Sequence, residues 1–316
     1  MRIVFCGTPE FAVPALRALL ENPEFSVEAV VTQPDRPRGR GQRVSASAVK
    51  EVAAGAGARI YQPESMKSDA ALDFFGQIKP DAVVIIAYGQ IIPRRLLEIP
   101  RLGWMNLHAS LLPKYRGAAP IAWAIINGEK TTGLTTMRLD PGLDTGPVLL
   151  QRETEIGEDE TAPELAGRMA ELGAPLVTES LVRWERGEIA PIPQDPGQAS
   201  YAPILTKEHG RIDWGRTAGE IYNRIRGLTP WPGAFSTFRG KLCHIWGRPS
   251  EAPAGDAAAS AQGPGTLVLG DGAIEVLCGA GTRLRVEAVQ IEGRKRVSAR
   301  EFANGARIQS GERFGS

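Results

Sequence analysis

Apolar positions along the first half of the chain alternate between two rhythms. Arg2 to Gly7 is a continuous apolar run that breaks at Gly7-Thr8-Pro9. Phe11 to Leu20 then repeats apolar residues at three- and four-residue spacing, and Ser26 to Thr32 is a second run. Run, helical period and run predict a β-α-β unit. Ser45 to Ala56 and Ser68 to Gln77 carry the helical period, with a short strand at Arg59 to Gln62 between them. Asp81 to Tyr88 is apolar almost throughout. A strand apolar on both faces needs cover on both sides, which predicts a parallel central sheet. In Trp104 to His108, Met105 and Leu107 alternate with Asn106 and His108, so an amide and an imidazole share one face of a strand. Ala118 to Ile126 reads as a helix and Thr131 to Leu139 as a strand. Thr161-Ala162-Pro163-Glu164 then opens a helix with Leu165, Met169, Leu172 and Leu176 on one stripe.

The pattern changes after Gly187. Gly187 to Pro203 holds four prolines and reads as a linker. Thr217-Ala218-Gly219-Glu220 is a capping box for a helix bearing Ile221, Ile225 and Leu228. Beyond Pro230-Trp231-Pro232-Gly233, short apolar segments at 235–238, 242–246, 266–269, 273–278 and 283–290 with glycine turns predict a small β-barrel. Ser250 to Gly265 is Ala/Gly/Pro-rich and reads as an insertion, and Ser298 to Glu301 caps a last helix. The expected fold is α/β: an N-terminal open, Rossmann-like, mostly parallel sheet with helices on both faces, then the barrel. The expected domains are 1–189 and 207–316, joined by 190–206.

Composition adds little except an asymmetry. The 316 residues are 42% hydrophobic and 23% charged, as in ordinary soluble globular proteins. Net charge is +1, yet from Lys207 onward 16 lysines and arginines face 11 acidic residues, against 21 and 25 before it. A basic domain on an acidic body suits a polyanionic partner, or is ordinary variation of surface charge. The three cysteines, Cys6, Cys243 and Cys278, lack zinc-like spacing and fit a reducing, cytoplasmic setting. No leader pattern opens the chain and no apolar run approaches the roughly 18 residues of a membrane helix, so a soluble protein is expected. The first turn lacks both the Gly-x-Gly-x-x-Gly and the Gly-x-x-x-x-Gly-Lys patterns, which removes support for a dinucleotide or nucleoside triphosphate site there.

Candidate chemistry centres on Asn106, His108 and Asp144, the last in the loop Asp140 to Pro147. Polar groups at the carboxyl end of a strand stand where open parallel sheets bind ligands. An imidazole oriented by a carboxylate can move a proton, and an amide N–H can receive a developing oxyanion. No serine or cysteine nucleophile sits on a recognisable elbow, which favours direct transfer over a covalent enzyme intermediate. Taken singly, the pair also fits a structural strand and the aspartate a turn. Gln33 to Arg43 carries Arg36, Arg38, Arg40 and Arg43, suited to phosphate contacts or simply to a solvated loop. Arg294-Lys295-Arg296 leaves the same two readings open, whereas Trp184, Trp214, Trp231 and Trp246 read as packing and the isolated His209 and His244 as structural or exposed.

The run Asn106 to Pro120 (NLHASLLPKYRGAAP), followed by Asp140 to Gly146 (DPGLDTG), resembles the signature of the folate-dependent formyltransferases. Gly7-Thr8-Pro9, Gln33-Pro34-Asp35-Arg36-Pro37, Ala87-Tyr88-Gly89 and Arg211-Ile212-Asp213-Trp214 are similar to the tRNA-directed branch of that family. The resemblance implies transfer of a formyl group from 10-formyltetrahydrofolate to the α-amino group of methionine esterified to initiator tRNA. It also implies a catalytic trio of Asn106, His108 and Asp144, and folate contacts from Ser110, Leu111, Leu112 and Pro113 with Tyr88 and Gly89 near the pterin. The arginine loop, Arg40 in particular, would enter the tRNA acceptor end, and an oligonucleotide-binding-like barrel would hold its stem. No metal, no membrane and a monomer are implied. Formylation of a small amine, hydrolysis of the formyl donor, and a non-catalytic RNA-binding protein are the competing readings.

Overall fold

The computed structural model describes residues 1–38, 43–250, 263–270, 273–309 and 311–315. Arg40 and most of the Ser250–Gly265 insertion lie outside them, as do the side chains of Arg38 and Arg43. Contacts divide the chain into two compact units, the first comprising 1–120, 131–155 and 164–203, the second 121–130, 156–163 and 204–316.

The first unit is built on a seven-stranded sheet. Its strands are β1 (Arg2–Gly7), β2 (Ser26–Val31), β5 (Ile60–Tyr61), β6 (Ala82–Ile86), β7 (Gly103–His108), β8 (Thr131–Arg138) and β9 (Val148–Glu155). Their order is β5-β2-β1-β6-β7-β8-β9. Pairing is parallel from β5 through β7 and antiparallel at β7–β8 and β8–β9. Strand β9 is not among the elements that the apolar pattern predicts. The apolar residues there are the consecutive Val148, Leu149 and Leu150 followed by Gln151-Arg152-Glu153-Thr154-Glu155, so no period-two apolar pattern marks this edge strand. A two-stranded hairpin, β3 (Arg36–Arg38) with β4 (Arg43–Ser45), projects between β2 and the next helix.

Helices α1 (Val13–Glu21), α2 (Ala48–Gly55), α3 (Asp69–Ile78), α4 (Arg94–Leu97) and α6 (Ala162–Glu185) flank these strands, and α5 (Pro120–Ile126) lies mainly in the second unit. Ser47 and Ser68 cap α2 and α3 through their side chains. Chain order runs outward from β1 to β2 and β5, then returns to β6 on the other side of β1. That reversal opens a crevice at the carboxyl ends of β1 and β6. One core cluster joins Val4, Cys6, Val83, Ile85, Phe75 and Trp104.

The second unit holds β10 (Phe235–Phe238), β11 (Lys241–Pro249), β12 (Leu267–Gly270), β13 (Ala273–Leu277), β14 (Arg283–Ile291) and β15 (Val297–Ser298), all antiparallel. The order β10-β11-β14-β13-β12 leaves β10 and β12 at the two edges. Residues 311–315 lie along both: Leu267 N–H donates to Glu312 O, Phe314 N–H to Gly265 O and Gly315 N–H to Thr237 O. The sheet thereby curls towards a barrel, around Ile245, Leu267, Val276, Leu284 and Val289. Helices α7 (Ala218–Gly227) and α8 (Ala299–Ala306) start at complete capping boxes, on Thr217/Glu220 and Ser298/Glu301. Trp214 is buried here, donating to Ser236 Oγ, whereas Trp231 stands 57% exposed and does not serve as packing.

Candidate active site

Strand β7 delivers two polar side chains to one face because its period is two. Leu107 points to the opposite face, under α6, where a Cβ on Gly173 would meet its Cδ2 at 2.6 Å. His108 is buried at 6% exposure and Asn106 is half-buried. The register sets His108 against Thr135 on β8, and Thr135 in turn against Gln151 on β9. Thr135 Oγ1 donates to Ser110 O at 2.6 Å and accepts from Leu112 N–H at 3.0 Å, which pins the chain as it leaves β7.

His108 faces two partners. Its Nε2 is 2.9 Å from Tyr115 O, and a carbonyl only accepts, so Nε2 carries a proton. Nδ1 lies 3.7 Å from Asp144 Oδ2, beyond hydrogen-bond length. Asp144 sits at φ 52°, a left-handed conformation costly for a residue with a Cβ. There its Oδ2 accepts the Gly117 N–H at 2.7 Å. Gly117 has φ 118°, and a Cβ would approach Ala202 O to 2.7 Å, so glycine is required at this turn.

The segment expected to be a linker is knitted into this site. Ile192 pairs with Val148 and Tyr201 with Arg116. Ser200 Oγ accepts the Tyr115 N–H at 2.9 Å, and Ala202 N–H donates to Arg116 O at 2.7 Å. Gln194 Nε2 donates to Asp144 O and Gly146 O at 2.8 and 2.7 Å, while its Oε1 accepts from Arg116 Nε and Nη2 at 3.1 and 2.7 Å. Sequence reasoning missed Gln194 and gave Arg116 no role. Nothing local to a Pro-Gln-Asp-Pro stretch signals a tertiary contact.

The expected folate residues separate. Ser110 is fully buried, donating to Lys114 O at 2.6 Å, and Leu112 is buried with its carbonyl held by Gln151 Nε2 at 2.8 Å. Leu111 and Pro113 are half-buried, with Leu111 lying over Gly133. The Tyr88 ring is turned into the core cluster, so only the backbone at this position is available to a ligand. Burial pushes its hydroxyl pKa upward, and the hydroxyl has no hydrogen-bond partner. Tyr88 O accepts from Thr8 Oγ1 at 3.0 Å and from Gln33 Nε2 at 3.1 Å. These groups border a cleft of about 660 Å³ at the strand reversal, lined by Thr8, Gln33, Arg36, Lys67, Gly89 and Gln90 among others. Arg36 and Gly89, expected to serve tRNA and folate, meet in this one cleft. Among the described residues no group of three or more His, Cys, Asp and Glu side chains is placed to hold a metal ion. No helix among them is long and apolar enough to cross a membrane.

Comparison with known proteins bears on this site. Residues 1–181 match the formyl transferase family model and residues 204–307 the model of the formyl transferase C-terminal domain. A methionyl-tRNA formyltransferase of Solibacter usitatus is 50% identical, covering 100% of this chain and 99% of its own length. That of Citrifermentans bemidjiense is 48% identical over 100% and 96%. Among solved structures, HypX from Aquifex aeolicus in complex with tetrahydrofolic acid aligns with TM-score 0.60 at 20% identity, over 96% of this chain. The chain spans about half of HypX, 48% of its length. WlaRD, a sugar 3N-formyl transferase crystallised in the presence of dTDP and 5-N-formyl-THF, aligns with TM-score 0.65 at 19% identity over 93% and 99%. At those identities the likeness is one of fold.

Proposed function

The chain belongs to the formyl transferase family, within it to the methionyl-tRNA formyltransferases, and from that premise we infer what its residues do. It transfers a formyl group from 10-formyltetrahydrofolate to the free α-amino group of methionine esterified to initiator tRNA. The observation that carries this reading is the His108–Asp144 pair, braced at the carboxyl end of β7 in a chain that matches such enzymes from end to end.

The attacking amine must be neutral, and an α-amino group near pKa 7.7–8.0 requires little help at neutral pH (~7). Its lone pair forms the new C–N bond, and the carbonyl electrons move onto the formyl oxygen. The Asn106 amide N–H receives that negative charge. With Nε2 committed to Tyr115 O, His108 offers Nδ1 to the reaction, and Asp144 draws off the ammonium proton. The intermediate then collapses: its oxygen re-forms the carbonyl, the C–N10 bond breaks, and N10 of the folate takes up the proton that Asp144 had drawn off, which restores the carboxylate. Ser110 to Pro113 and the Tyr88–Gly89 backbone hold the folate. The arginines of the Gln33–Arg43 segment, Arg36, Arg38, Arg40 and Arg43, guide the acceptor end.

Residues 1–189 carry this chemistry together with Gln194, Ser200 and Ala202 of the 190–206 segment. The 207–316 domain, reached through 190–206, takes the tRNA stem on its basic face, where Arg296 lies 4.0 Å over the Trp246 ring. The test is formylation with 10-formyltetrahydrofolate and three acceptors: methionyl initiator tRNA, methionyl elongator tRNA and free methionine. Rapid transfer to the initiator alone is expected. Transfer to none of them refutes the reading.

A further inference from the structure

We propose that Gln194 and Arg116 are positioning residues for formyl transfer, acting together to hold Asp144 against His108; this rests on the roles given above to His108 and Asp144. The orientation of the Gln194 amide follows from its neighbours. Arginine only donates and backbone carbonyls only accept, so Oε1 must face Arg116 and Nε2 must face Asp144 O and Gly146 O. One side chain therefore uses both ends of its amide in four hydrogen bonds, beside a 4.0 Å contact of Nε2 with Met137 Sδ.

The place of these bonds gives them their purpose. Asp144 is a non-glycine residue at φ 52°, and Gln194 grips the carbonyl of that same residue. Two residues on, Gly146 is tucked so closely that a Cβ would fall 1.8 Å from Arg138 O. The loop thus has little freedom on one side and is tied by Gln194 on the other. Arg116 is only 5% exposed. Its neighbours in sequence are the two residues that touch the pair: Tyr115 O takes His108 Nε2–H, and Gly117 N–H goes to Asp144 Oδ2. The Arg116–Gln194 bond consequently ties the loop that orients His108 to the loop that carries Asp144. The guanidinium charge on Oε1 strengthens the opposite N–H groups as donors. Losing the tie releases the left-handed turn and lengthens the 3.7 Å separation of Nδ1 and Oδ2.

The experiment uses the full chain in single-turnover formylation of methionyl initiator tRNA, with Gln194→Met, Asp144→Asn and the double variant beside the parent. Methionine keeps the side-chain length and removes all four bonds. Gln194→Met is expected to lower the transfer rate about 10²-fold, the cost of misplacing a reacting group by about 1 Å, with KM for the formyl donor unchanged. In the Asp144→Asn background the same change is expected to cost nothing further, since Gln194 acts through that carboxylate. A side chain that merely stabilised the fold would add its penalty in both backgrounds. Gln194→Glu is the second variant should Gln194→Met fail to fold. It keeps the Arg116 contact but turns a carboxylate oxygen towards two carbonyls, and at least a tenfold loss is expected. A folded variant at the parental rate overturns the proposal, as do equal losses in the two backgrounds. A parent protein that formylates no tRNA overturns the functional reading first, and this proposal with it.

Discussion

Which nitrogen His108 presents is decided by a single carbonyl. Tyr115 O binds Nε2, so the face towards Asp144 is always Nδ1. Removing the neighbouring donor tests the charge distribution directly. Asn106→Ala is expected to reduce kcat by about 10²–10³, the usual cost of one oxyanion donor. Steady-state kinetics with a normal kcat would remove Asn106 from the chemistry. Asp144→Asn keeps the shape of the loop and its bond from Gly117, so donor binding should persist while turnover collapses. A raised folate KM with parental kcat would instead make Asp144 a binding residue.

Among the elements, β7 and its two loops were the most legible in the sequence. Alternation of Met105 and Leu107 with Asn106 and His108 set the strand, its polar face and its end. The capping boxes at Thr217 and Ser298 likewise announced α7 and α8, because cap chemistry is local. What could not be read depends on partners distant in the chain. β9 is amphipathic only weakly, and its place beside β8 follows from antiparallel register rather than from its own residues. Residues 190–203 are proline-rich like any tether, and only tertiary hydrogen bonds at Gln194, Ser200 and Ala202 join them to the site. Tyr88, expected near the pterin, has its ring packed in the core cluster, a direction that nothing in Ala87-Tyr88-Gly89 itself sets. Close packing gives a test at this scale. A Cβ on Gly133 of β8 would lie 2.4 Å from Arg152 O and 2.5 Å from Leu111 Cδ2. Gly133→Ala should therefore cost about 1–3 kcal/mol and lower Tm in thermal unfolding. An unchanged Tm would mean that β8 and β9 move apart freely.

For the molecule as a whole, titration brackets stability from both sides. Hydrogen bonds from Arg2 to Glu28, Lys50 to Asp35, Thr217 to Glu220 and Ser298 to Glu301 lower these carboxyl pKa values. A lowered carboxylate stabilises above its unfolded value, and that contribution is lost on acidification below about pH 4. Burial pushes the thiols of Cys243 and Cys278 up to about 12, and Cys6 upward as well. A raised thiol stabilises below its unfolded value, and that contribution is lost as pH climbs above about 8.5. Urea midpoints measured across pH should form a plateau between about pH 5 and 8, falling on both sides. A midpoint that climbs below about pH 4 would contradict these pairings. Binding of tRNA should weaken with salt, log K falling by roughly 0.7–0.9 per phosphate contact for each log unit. A KM for tRNA indifferent to salt would remove the hairpin arginines and the basic barrel from the interface.

The closing of β10 to β12 by residues 311–315 also has a temporal side. A ribosome makes β10 through β14 before the closing stretch, so every nascent copy passes through a stage with two open strand edges. While several ribosomes share one message, neighbouring copies at that stage are held close together with those edges bare. A reading-frame error just upstream of Gly311 would make the stage permanent, and the expected product is an inclusion body rather than a slow enzyme.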